Sequence, residues 1–339
     1  MSDSEKTVRV EVPATTANLG PGFDCMGAAL SLFNTFEVRF AREPEVVIHG
    51  EYAEGLPSNT DNLVYHTTAS VLERLGVRKP LAIRSECNIP PARGLGSSAS
   101  CVVGGILAAN ELLGRPLNIN DLLGLAAQME GHPDNVVPAI LGGLTFAAMD
   151  GEAVLCKRLD LPPGIVFAVA IPDFHLSTKA AREALPSKVP VKDATFNLAR
   201  AAMMAVCFAQ GDLPMLNILC QDRLHQPYRA RLIPGLMEML NGARHHGALA
   251  CYLSGAGPSV ACLVKEEAAA AVGDFMVSVF ESHGIRAQRR MLKPYAGGAS
   301  VLVIQPRQDL VPPLQTRAWT CYHRRCACGM RRKTRGEVA

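Results

Sequence analysis

Aromatic residues and long apolar runs are both scarce in this 339-residue sequence. Only 5% of the residues are aromatic, and Trp319 is the single tryptophan, so we do not expect ligands to be bound by stacking on many rings. The uninterrupted run Ile165 to Ile171 is far shorter than the roughly 18 to 20 residues that a membrane-spanning helix needs. The N-terminal residues MSDSEKTVRVEV contain no apolar region of the kind found in a secretory leader. We therefore expect a globular protein with no membrane partner.

An excess of charge of one sign is also missing from most of the chain. Lys and Arg number 34 against 31 Asp and Glu, and residues 315–339 contain seven of the basic residues but only one acid. The body is therefore mildly acidic, which gives no electrostatic reason to expect a nucleic-acid partner.

The cysteines indicate a reducing compartment. Eight of the 11 lie before residue 315 in apolar or mixed surroundings, such as Cys101 in SASCVVGG and Cys262 in VACLV. We expect most of these to be buried thiols, and unpaired cysteines fit a cytoplasmic location.

The length and the alternation of apolar segments predict two domains. One core rarely organises more than about 250–300 residues, and the turn LPPG before residue 165 offers a boundary. The predicted division is an N-terminal domain at 1–163, a C-terminal domain at 164–308 and a basic, disordered tail at 309–339. Mixed strands and helices indicate the α+β class.

Several local elements can be predicted from the pattern. Alternation predicts a strand at 8–12, the continuous apolar run predicts a buried strand at 165–172, and the Pro, Gly and Asn residues of 13–24 predict a loop. A mostly buried helix is expected to follow Gly96, and a second helix at 119–131 is expected to open with Asn120 as its cap.

A glycine-rich segment between a strand and a helix is the main chemical signal. Its ten residues are Pro90, Pro91, Ala92, Arg93, Gly94, Leu95, Gly96, Ser97, Ser98 and Ala99. Glycines let the backbone approach an anion, and the free amides at a helix start favour phosphate. Two serines at that start can cap the helix, and one hydroxyl could ligate the Mg²⁺ that accompanies ATP.

Taken alone, this segment is also compatible with a simple capped turn. It is not a Walker loop, because no Gly-Lys-Ser/Thr follows, and it lacks the third glycine of the dinucleotide-binding fingerprint.

Two further segments accompany it in order: Pro13 to Asp24, which reads PATTANLGPGFD, and Leu253 to Ser259, which reads LSGAGPS. Together the three resemble the signatures of the superfamily of galactokinase, homoserine kinase, mevalonate kinase and phosphomevalonate kinase. Within it, ANLGPGFD and MEGHPDNV at 129–136 resemble the homoserine kinase branch. The resemblance covers about residues 7 to 305.

The resemblance implies a fold and an activity. The implied fold has an N-terminal ribosomal protein S5 domain 2-like domain and a C-terminal ferredoxin-like domain, with the active site in the cleft between them. The implied activity is ATP-dependent phosphorylation of L-homoserine to O-phospho-L-homoserine in threonine biosynthesis, with ATP and Mg²⁺ bound and with a homodimer as the assembly.

Site residues follow from the same resemblance, position by position. Ser98 and Glu130 are the expected Mg²⁺ ligands, residues 90–99 form the phosphate cradle, and Asn62 lies near the adenine. The expected homoserine pocket comprises Asn18, Asp24, His132, Arg182 and Arg229. Two arginines suit the substrate carboxylate, because guanidinium donors bind carboxylates in a bidentate way.

The catalytic step is expected to rely on positioning. Related mevalonate-type kinases have a catalytic aspartate near Asp134, whereas the match puts Asn135 in that register, and an amide cannot accept the hydroxyl proton. We expect in-line attack with late proton transfer, Arg182 neutralising charge and Thr178 orienting the γ-phosphate or the substrate. Asp24 is the rival candidate for a general base.

The tail from Gln315 to Ala339 lies outside the resemblance. Cys321, His323, Cys326 and Cys328 suggest zinc, but their spacing lacks the usual pairs, so a disordered appendage is favoured. Truncation after Pro313 is then expected to leave activity intact.

Two other functions stay open at this point. One is phosphorylation of a sugar or isoprenoid alcohol, disfavoured by the two pocket arginines and by the GHPDN segment. The other is a nucleic-acid-binding module, suggested by the implied ribosomal-protein-like topology and the basic tail.

Overall fold

The computed structural model describes residues 6–304, which form two β-sheets and the helices packed on them. Residues 1–5 and 305–339 lie outside the described residues, and with them the zinc and disorder interpretations of the tail. The α+β content predicted from the pattern is confirmed. No helix in the described part has the length and hydropathy to cross a bilayer.

The first sheet has seven strands in the order β11-β1-β2-β4-β3, with β5 paired to β2 and β6 paired to β5. The strands are β1 (Thr7–Ala17), β2 (Met26–Phe40), β3 (Glu45–His49), β4 (Leu81–Glu86), β5 (Leu144–Asp150), β6 (Ala153–Leu159) and β11 (Ser300–Ile304). Only the β3–β4 pair is parallel within this described sheet. Because β11 pairs with β1, the last described strand returns to the sheet of the N-terminal half.

Strand β1 is longer than the sequence predicts. Its valines Val8, Val10 and Val12 alternate into the core and are fully buried, as the pattern predicts. The predicted loop at 13–24 is wrong over 13–17, where the strand continues to pair with β2. The register shifts between Pro13 and Ala14, and such an irregularity accommodates a residue that has no N–H to donate.

Four helices pack on one face of this sheet: α1 (Leu63–Arg74), α2 (Ser97–Leu112), α3 (Ile119–Glu130) and α4 (Pro133–Leu141). Helix α2 is buried on nearly all sides, as predicted, because it lies against β1 and between the other helices. The predicted cap of α3 is wrong: Asn118, not Asn120, caps the helix. The Asp121 carboxylate in turn accepts from the Asn118 amide, which completes a reciprocal capping box.

The second sheet has four antiparallel strands in the order β10-β7-β9-β8. They are β7 (Ile165–Pro172), β8 (Ala248–Leu253), β9 (Val260–Lys265) and β10 (Ala287–Leu292). The helices of this half are α5 (Thr178–Glu183), α6 (Val191–Gln210), α7 (Leu216–Leu219), α8 (Gln226–Arg229), α9 (Leu236–Gly242) and α10 (Ala269–Ser282).

The continuous apolar run of β7 is explained by burial on both faces, as predicted. Val166, Ala168 and Ala170 belong to the core beneath α9 and α10. Phe167 and Val169 belong to a second core that also contains residues of β1 and β2. The two sheets therefore share one apolar layer, which fixes the ends of their strands next to each other.

The eight described cysteines are free thiols, as expected. Cys87, Cys207, Cys220, Cys251 and Cys262 are buried, whereas Cys25, Cys101 and Cys156 are half-buried.

Candidate active site

The glycine-rich loop between β4 and α2 adopts a conformation that requires glycine at two positions. Gly94 and Gly96 have φ of 75° and 71°. A Cβ on Gly94 would lie 2.1 Å from the Ser254 carbonyl oxygen, and one on Gly96 would lie 2.0 Å from the Thr15 hydroxyl. Side chains are therefore excluded by contact as well as by backbone strain.

The start of α2 keeps its amides available to a ligand. Gly96 is the N-cap residue, and no side chain caps the helix, so the prediction that Ser97 or Ser98 does so is wrong. Ser97 and Ser98 are the first and second residues of the helix, and neither hydroxyl occupies the cap position. Unsatisfied N–H groups and the positive end of the helix dipole together favour an anion here.

The three sequence segments that carry the family resemblance meet at this loop. The Ser254 hydroxyl donates to the Gly94 carbonyl at 2.6 Å and lies 2.8 Å from the Thr16 hydroxyl. The Gly255 amide donates to the Ala17 carbonyl at 3.2 Å. The loop is thus held by β1 and by the β8–β9 turn, one from each sheet.

A hydroxyl and a carboxylate suited to Mg²⁺ lie beside the loop. The Ser98 hydroxyl donates to Glu130 Oε2 at 3.1 Å, so the two predicted metal ligands are brought together. Burial raises the pKa of Glu130, although His132 and the Ser98 hydrogen bond oppose that shift. Oxygen donors of this kind, one anionic and one neutral, fit Mg²⁺.

Asp24 and Arg182 form a bidentate ion pair across the cleft. The guanidinium donates to Asp24 Oδ2 at 3.1 Å and to Oδ1 at 2.9 Å. The loop that presents Asp24 contains three non-glycine residues at positive φ, namely Asn18, Leu19 and Asp24. Asn18 stabilises it by accepting from the Asp24 amide and donating to the Gly255 carbonyl, both at 2.9 Å.

Arg229 is almost fully buried and is held by a polar network that the sequence did not predict. Its guanidinium donates to the Ala181 and Gly255 carbonyls and to His225 Nδ1 at 3.2 Å. His225 Nε2 in turn donates to the Gly20 carbonyl at 2.8 Å. Burial and the nearby Arg182 lower the pKa of Arg229 to about 10.

Asp222 and Asn197 complete this network behind the site. Asp222 accepts from the His225 and Gln226 amides and, at 2.6 Å, from the Asn197 side chain. Burial lowers the pKa of His225 despite the opposing charge of Asp222, so the ring is neutral. The spacing of His225 and Arg229, four residues apart in HQPYR, is the signal that could have paired them.

Phe23 is a further residue at the site that the sequence did not predict. Its ring stacks on His225 with centroids 5.1 Å apart, and the guanidinium groups of Arg182 and Arg229 lie 5.8 and 5.3 Å from its centre. An aromatic face helps to hold two like-charged groups in one small volume.

His132, Asp134 and Asn135 form the opposite wall. Asp134 is buried and accepts from His132 Nδ1 and from the side-chain amide of Asn135. Burial alone would lower the pKa of His132, but the hydrogen bond and charge of Asp134 outweigh it and raise that pKa. The side-chain oxygen Oδ1 of Asn135 already accepts from the Thr15 hydroxyl at 2.8 Å.

A second group of possible metal ligands lies beside the predicted metal pair. Ligand atoms of Asp24, His132 and Asp134 all lie within 4.8 Å of one another. Each of its two carboxylates already has a partner, Asp24 in Arg182 and Asp134 in His132.

One cleft, open to solvent, contains most of the predicted site. The predicted residues that line it are Asn18, Asp24, Ala92, Gly94, Gly96, Ser97, Ser98, Glu130, His132, Asn135, Thr178, Arg182 and Arg229. Arg182 and Thr178 are positioned by the short helix α5, whose N-cap is Ser177.

The remaining predicted residues do not line it. Asn62 caps α1 and donates to the Pro57 carbonyl. Pro90, Leu95 and Ala99 are buried, and Pro91 is half-buried. Arg93 points away, donating to the Pro172 carbonyl at 3.0 Å, and so anchors the loop to β7.

Comparisons with known proteins show the family to which this chain is similar. Residues 62–143 match the family described as GHMP kinases N terminal domain, and residues 204–282 match GHMP kinases C terminal. The chain is 46% identical over 295 residues to a homoserine kinase of Moorella thermoacetica, covering 86% of this chain and 99% of that one. It is 42% identical over 296 residues to a homoserine kinase of Aquifex aeolicus, covering 87% and 99%.

Solved kinase structures have a similar fold. A homoserine kinase from Cytophaga hutchinsonii superposes with a TM-score of 0.78 at 29% identity, covering 89% of this chain and 98% of that one. A mevalonate kinase of L. major, in complex with R-mevalonate, superposes with a TM-score of 0.62 at 18% identity, covering 84% and 95%. That second likeness concerns the fold alone.

Proposed function

The chain belongs to the homoserine kinase family of the GHMP kinases, and we propose that it transfers the γ-phosphoryl group of ATP to the side-chain hydroxyl of L-homoserine. The product is O-phospho-L-homoserine, an intermediate of threonine biosynthesis. The observation that carries the proposal is the uncapped start of α2 at Gly96, which opens into the same cleft as Arg182 and Arg229.

The phosphate end of the cleft supports ATP as the donor. Backbone amides from Gly94 to Ser98 are assigned to the β- and γ-phosphates, because the two glycines remove the side chains that would separate an anion from the backbone. The α1 N-terminus at Asn62 is assigned to the adenine side. The N-terminal domain, predicted at 1–163, would then be of the ribosomal protein S5 domain 2-like type and the C-terminal domain, predicted at 164–308, ferredoxin-like, with ATP in the cleft between them and with β11 returning to the N-terminal sheet.

The other end supports a zwitterionic alcohol. Arg182 and Arg229 offer planar donors to the carboxylate of homoserine, and Arg229 needs no reorganisation because its other contacts fix it. Asn18, Asp24 and His132 are assigned to the ammonium and hydroxyl groups. A sugar or mevalonate has no ammonium to match the carboxylates of Asp24 and Asp134, which argues against those substrates.

Ser98 and Glu130 are proposed to hold Mg²⁺. Their adjacency and oxygen donors fit the ion, and the raised pKa of Glu130 indicates a carboxylate buried without enough positive charge around it. When bound, the ion would neutralise charge on the ATP phosphates.

The transfer itself is proposed to need no protein base. Asn135 cannot accept a proton, and its oxygen already accepts from Thr15. Both carboxylate oxygens of Asp24 already accept hydrogen bonds from the guanidinium of Arg182, so Asp24 is held in a contact other than one with the substrate hydroxyl. The residues therefore act by orienting the alcohol in line with the γ-phosphate and by offsetting charge, with Thr178 and Arg182 nearest the reacting groups.

A homodimer in the cytoplasm is the assembly and location that we propose, on the basis of family membership and the unpaired thiols.

A coupled assay of ADP release tests the activity. With ATP and Mg²⁺, L-homoserine should be turned over at least 100-fold faster than mevalonate, galactose or D-homoserine. Arg229→Met should abolish most of that activity, whereas Arg231→Met, two residues on and directed at the Ala184 carbonyl, serves as the matched control. Faster use of mevalonate or a sugar would refute the proposal.

A further inference from the structure

Asn34 is a buried side chain of β2 that lies behind the phosphate loop. It is 1% exposed and is not among the residues that line the cleft. Strands β2 and β4 pair in register up to Thr35 and Glu86, and β4 ends there and leads into the loop. Asn34 is therefore the residue of β2 next to the point at which backbone pairing with β4 stops.

The side chain of Asn34 takes over from the backbone at that point. Its Oδ1 atom accepts from the Asn88 amide at 2.8 Å and from the Ile89 amide at 2.9 Å. The next two residues, Pro90 and Pro91, have no N–H to donate. The last two amides before the prolines are thus both bound to one side-chain oxygen, which holds the entry to the phosphate loop.

The same side chain also holds the exit from the loop, at the first turn of α2. Asn34 Nδ2 donates to the Ser100 hydroxyl at 2.9 Å, and that hydroxyl donates to the Ser97 carbonyl at 2.7 Å. Ser100 is fully buried, so these two contacts are made without solvent. Because the Ser97 carbonyl can only accept, the Ser100 proton points at it and the hydroxyl accepts from Asn34.

A primary amide is the group that these contacts require. The oxygen must accept two backbone amides on one side, and the nitrogen must donate to the Ser100 hydroxyl on the other. A carboxylate would have no proton for Ser100, whose hydroxyl would then have to turn away from the Ser97 carbonyl. An apolar side chain would leave the Ile89 amide buried without its acceptor.

The middle of the loop is held by other segments. The Gly94 carbonyl accepts from the Ser254 hydroxyl, and the Leu95 carbonyl accepts from the Thr15 amide at 3.1 Å. Those contacts fix the residues between the two ends. They do not fix the direction in which β4 enters the loop or in which α2 leaves it.

We propose that Asn34 is a positioning residue for the nucleotide, because it connects both ends of the phosphate loop to β2 and so directs the amides of Gly94 to Ser98 at the phosphates. This proposal rests on the proposed function, since it takes ATP as the ligand of the loop. It concerns the phosphoryl donor alone. The affinity for ATP and ADP should therefore depend on Asn34, whereas the KM for homoserine should not.

Asn34→Ala tests the proposal against a matched control at the other end of α2. Asn110 is also buried, and its side chain accepts from the Leu117 amide at 2.9 Å and donates to the Leu117 carbonyl at 3.2 Å. Asn110→Ala therefore removes similar hydrogen bonds without touching the loop. Both variants should have a lower melting temperature, which is the effect of a merely structural role.

The nucleotide parameters should separate the two variants. Because small displacements of binding groups are costly, Asn34→Ala should raise the KM for ATP and the Kd for ADP about 10-fold, and Asn110→Ala should change neither by more than about 2-fold. The KM for homoserine should stay within about 2-fold of the wild type in both variants. A rise in the Kd for ADP that is equal in the two variants would overturn the proposal.

Ser100→Ala isolates the exit and decides the question if Asn34→Ala does not fold. It removes the link to Ser97 but keeps both amide contacts of Asn34, so the Kd for ADP should rise about 3-fold. The double variant should bind ADP no more weakly than Asn34→Ala, because the two residues act through one chain of hydrogen bonds. An unchanged Kd for ADP in Ser100→Ala, or additive effects in the double variant, would contradict the proposal.

Calorimetric titration of the full chain with ADP and Mg²⁺, without homoserine, provides these dissociation constants. The result does not depend on which alcohol is phosphorylated. A wild type that binds ADP but does not phosphorylate homoserine would refute the proposed function, and the comparison of Asn34→Ala with Asn110→Ala would still decide the role of Asn34. A wild type that does not bind ADP would refute both.

Discussion

Replacing Asp24 by asparagine separates the two roles that this carboxylate can play, holding the substrate or taking its proton. The change is nearly isosteric. Asparagine also tolerates the positive φ of 56° at this position, so the loop should keep its shape. What is removed is one negative charge and the bidentate acceptor of Arg182.

The size of the effect can be worked out for one charged hydrogen bond lost between Asp24 and the ammonium group of homoserine. A hydrogen bond to a charged group contributes about 1.5–3 kcal/mol, equivalent to about a 10- to 150-fold change in an equilibrium constant at 1.36 kcal/mol per tenfold. The side chains of Asp24 and Arg182 are 34% and 38% exposed, and solvent screening at that exposure favours the lower end. We therefore expect the KM for homoserine to rise about 10-fold, with kcat and the KM for ATP changed little.

Steady-state kinetics with the coupled ADP assay measure this directly. The sharper comparison uses 4-hydroxybutyrate, which has the hydroxyl and carboxylate of homoserine but no ammonium group. If Asp24 binds the ammonium, the wild type prefers homoserine and Asp24→Asn loses most of that preference. A kcat reduced by about 10² to 10⁴ at saturating homoserine would instead identify Asp24 as the base, and would refute the mechanism proposed above.

Three further predictions concern the phosphate loop, the buried histidine and the tail. Gly94→Ala should raise the KM for ATP about 10-fold or more, because its Cβ meets the Ser254 carbonyl, whereas Gly114→Ala, at a similar φ with nothing within 4 Å, should lower the melting temperature without changing that KM. Burial lowers the pKa of His225 below 6.5, so the unfolded chain takes up a proton before the folded protein does. The contribution of His225 to the free energy of unfolding is therefore fully present above about pH 6.5, and it is lost below that value by up to about 1.4 kcal/mol per pH unit. In His225→Gln the melting temperature should therefore fall less steeply as the pH is lowered. Truncation after Pro313 should leave kcat and KM unchanged in the same assay, and a large loss would show that the tail contributes to the site.

Local sequence predicted the strands and helices whose apolar pattern is strong. The run Ile165–Pro172 and the helix after Gly96 were predictable because burial on all sides leaves an unbroken apolar stretch. The predictions failed where a non-local partner decides the local structure. Residues 13–17 have the composition of a loop, yet pairing with β2 keeps them in the strand. Asn118 rather than Asn120 caps α3, because the Asn118 amide also donates a hydrogen bond to the carboxylate of Asp121.

The residues of the candidate site likewise include some that the sequence predicted and some that it did not. The three segments around Asn18, Gly94 and Gly255 were recognisable because close backbone approach restricts which residues can stand there. Phe23, His225 and Asp222 were not predicted, since no local motif distinguishes them and each acquires its role through partners distant in sequence. The direction of the Arg93 side chain, away from the cleft, likewise depends on the Pro172 carbonyl of the other sheet.

By itself, then, the sequence determined which backbone segments can approach a phosphate and which helices and strands form, because glycine conformational freedom and apolar periodicity act over a few residues. The tertiary structure alone decided that Arg182 pairs with Asp24, that Arg229 is buried against a neutral His225, and that Asn34 holds both ends of the phosphate loop. Those features depend on charge, burial and contact between segments up to about 200 residues apart, such as Gly20 and His225, and no local pattern records them.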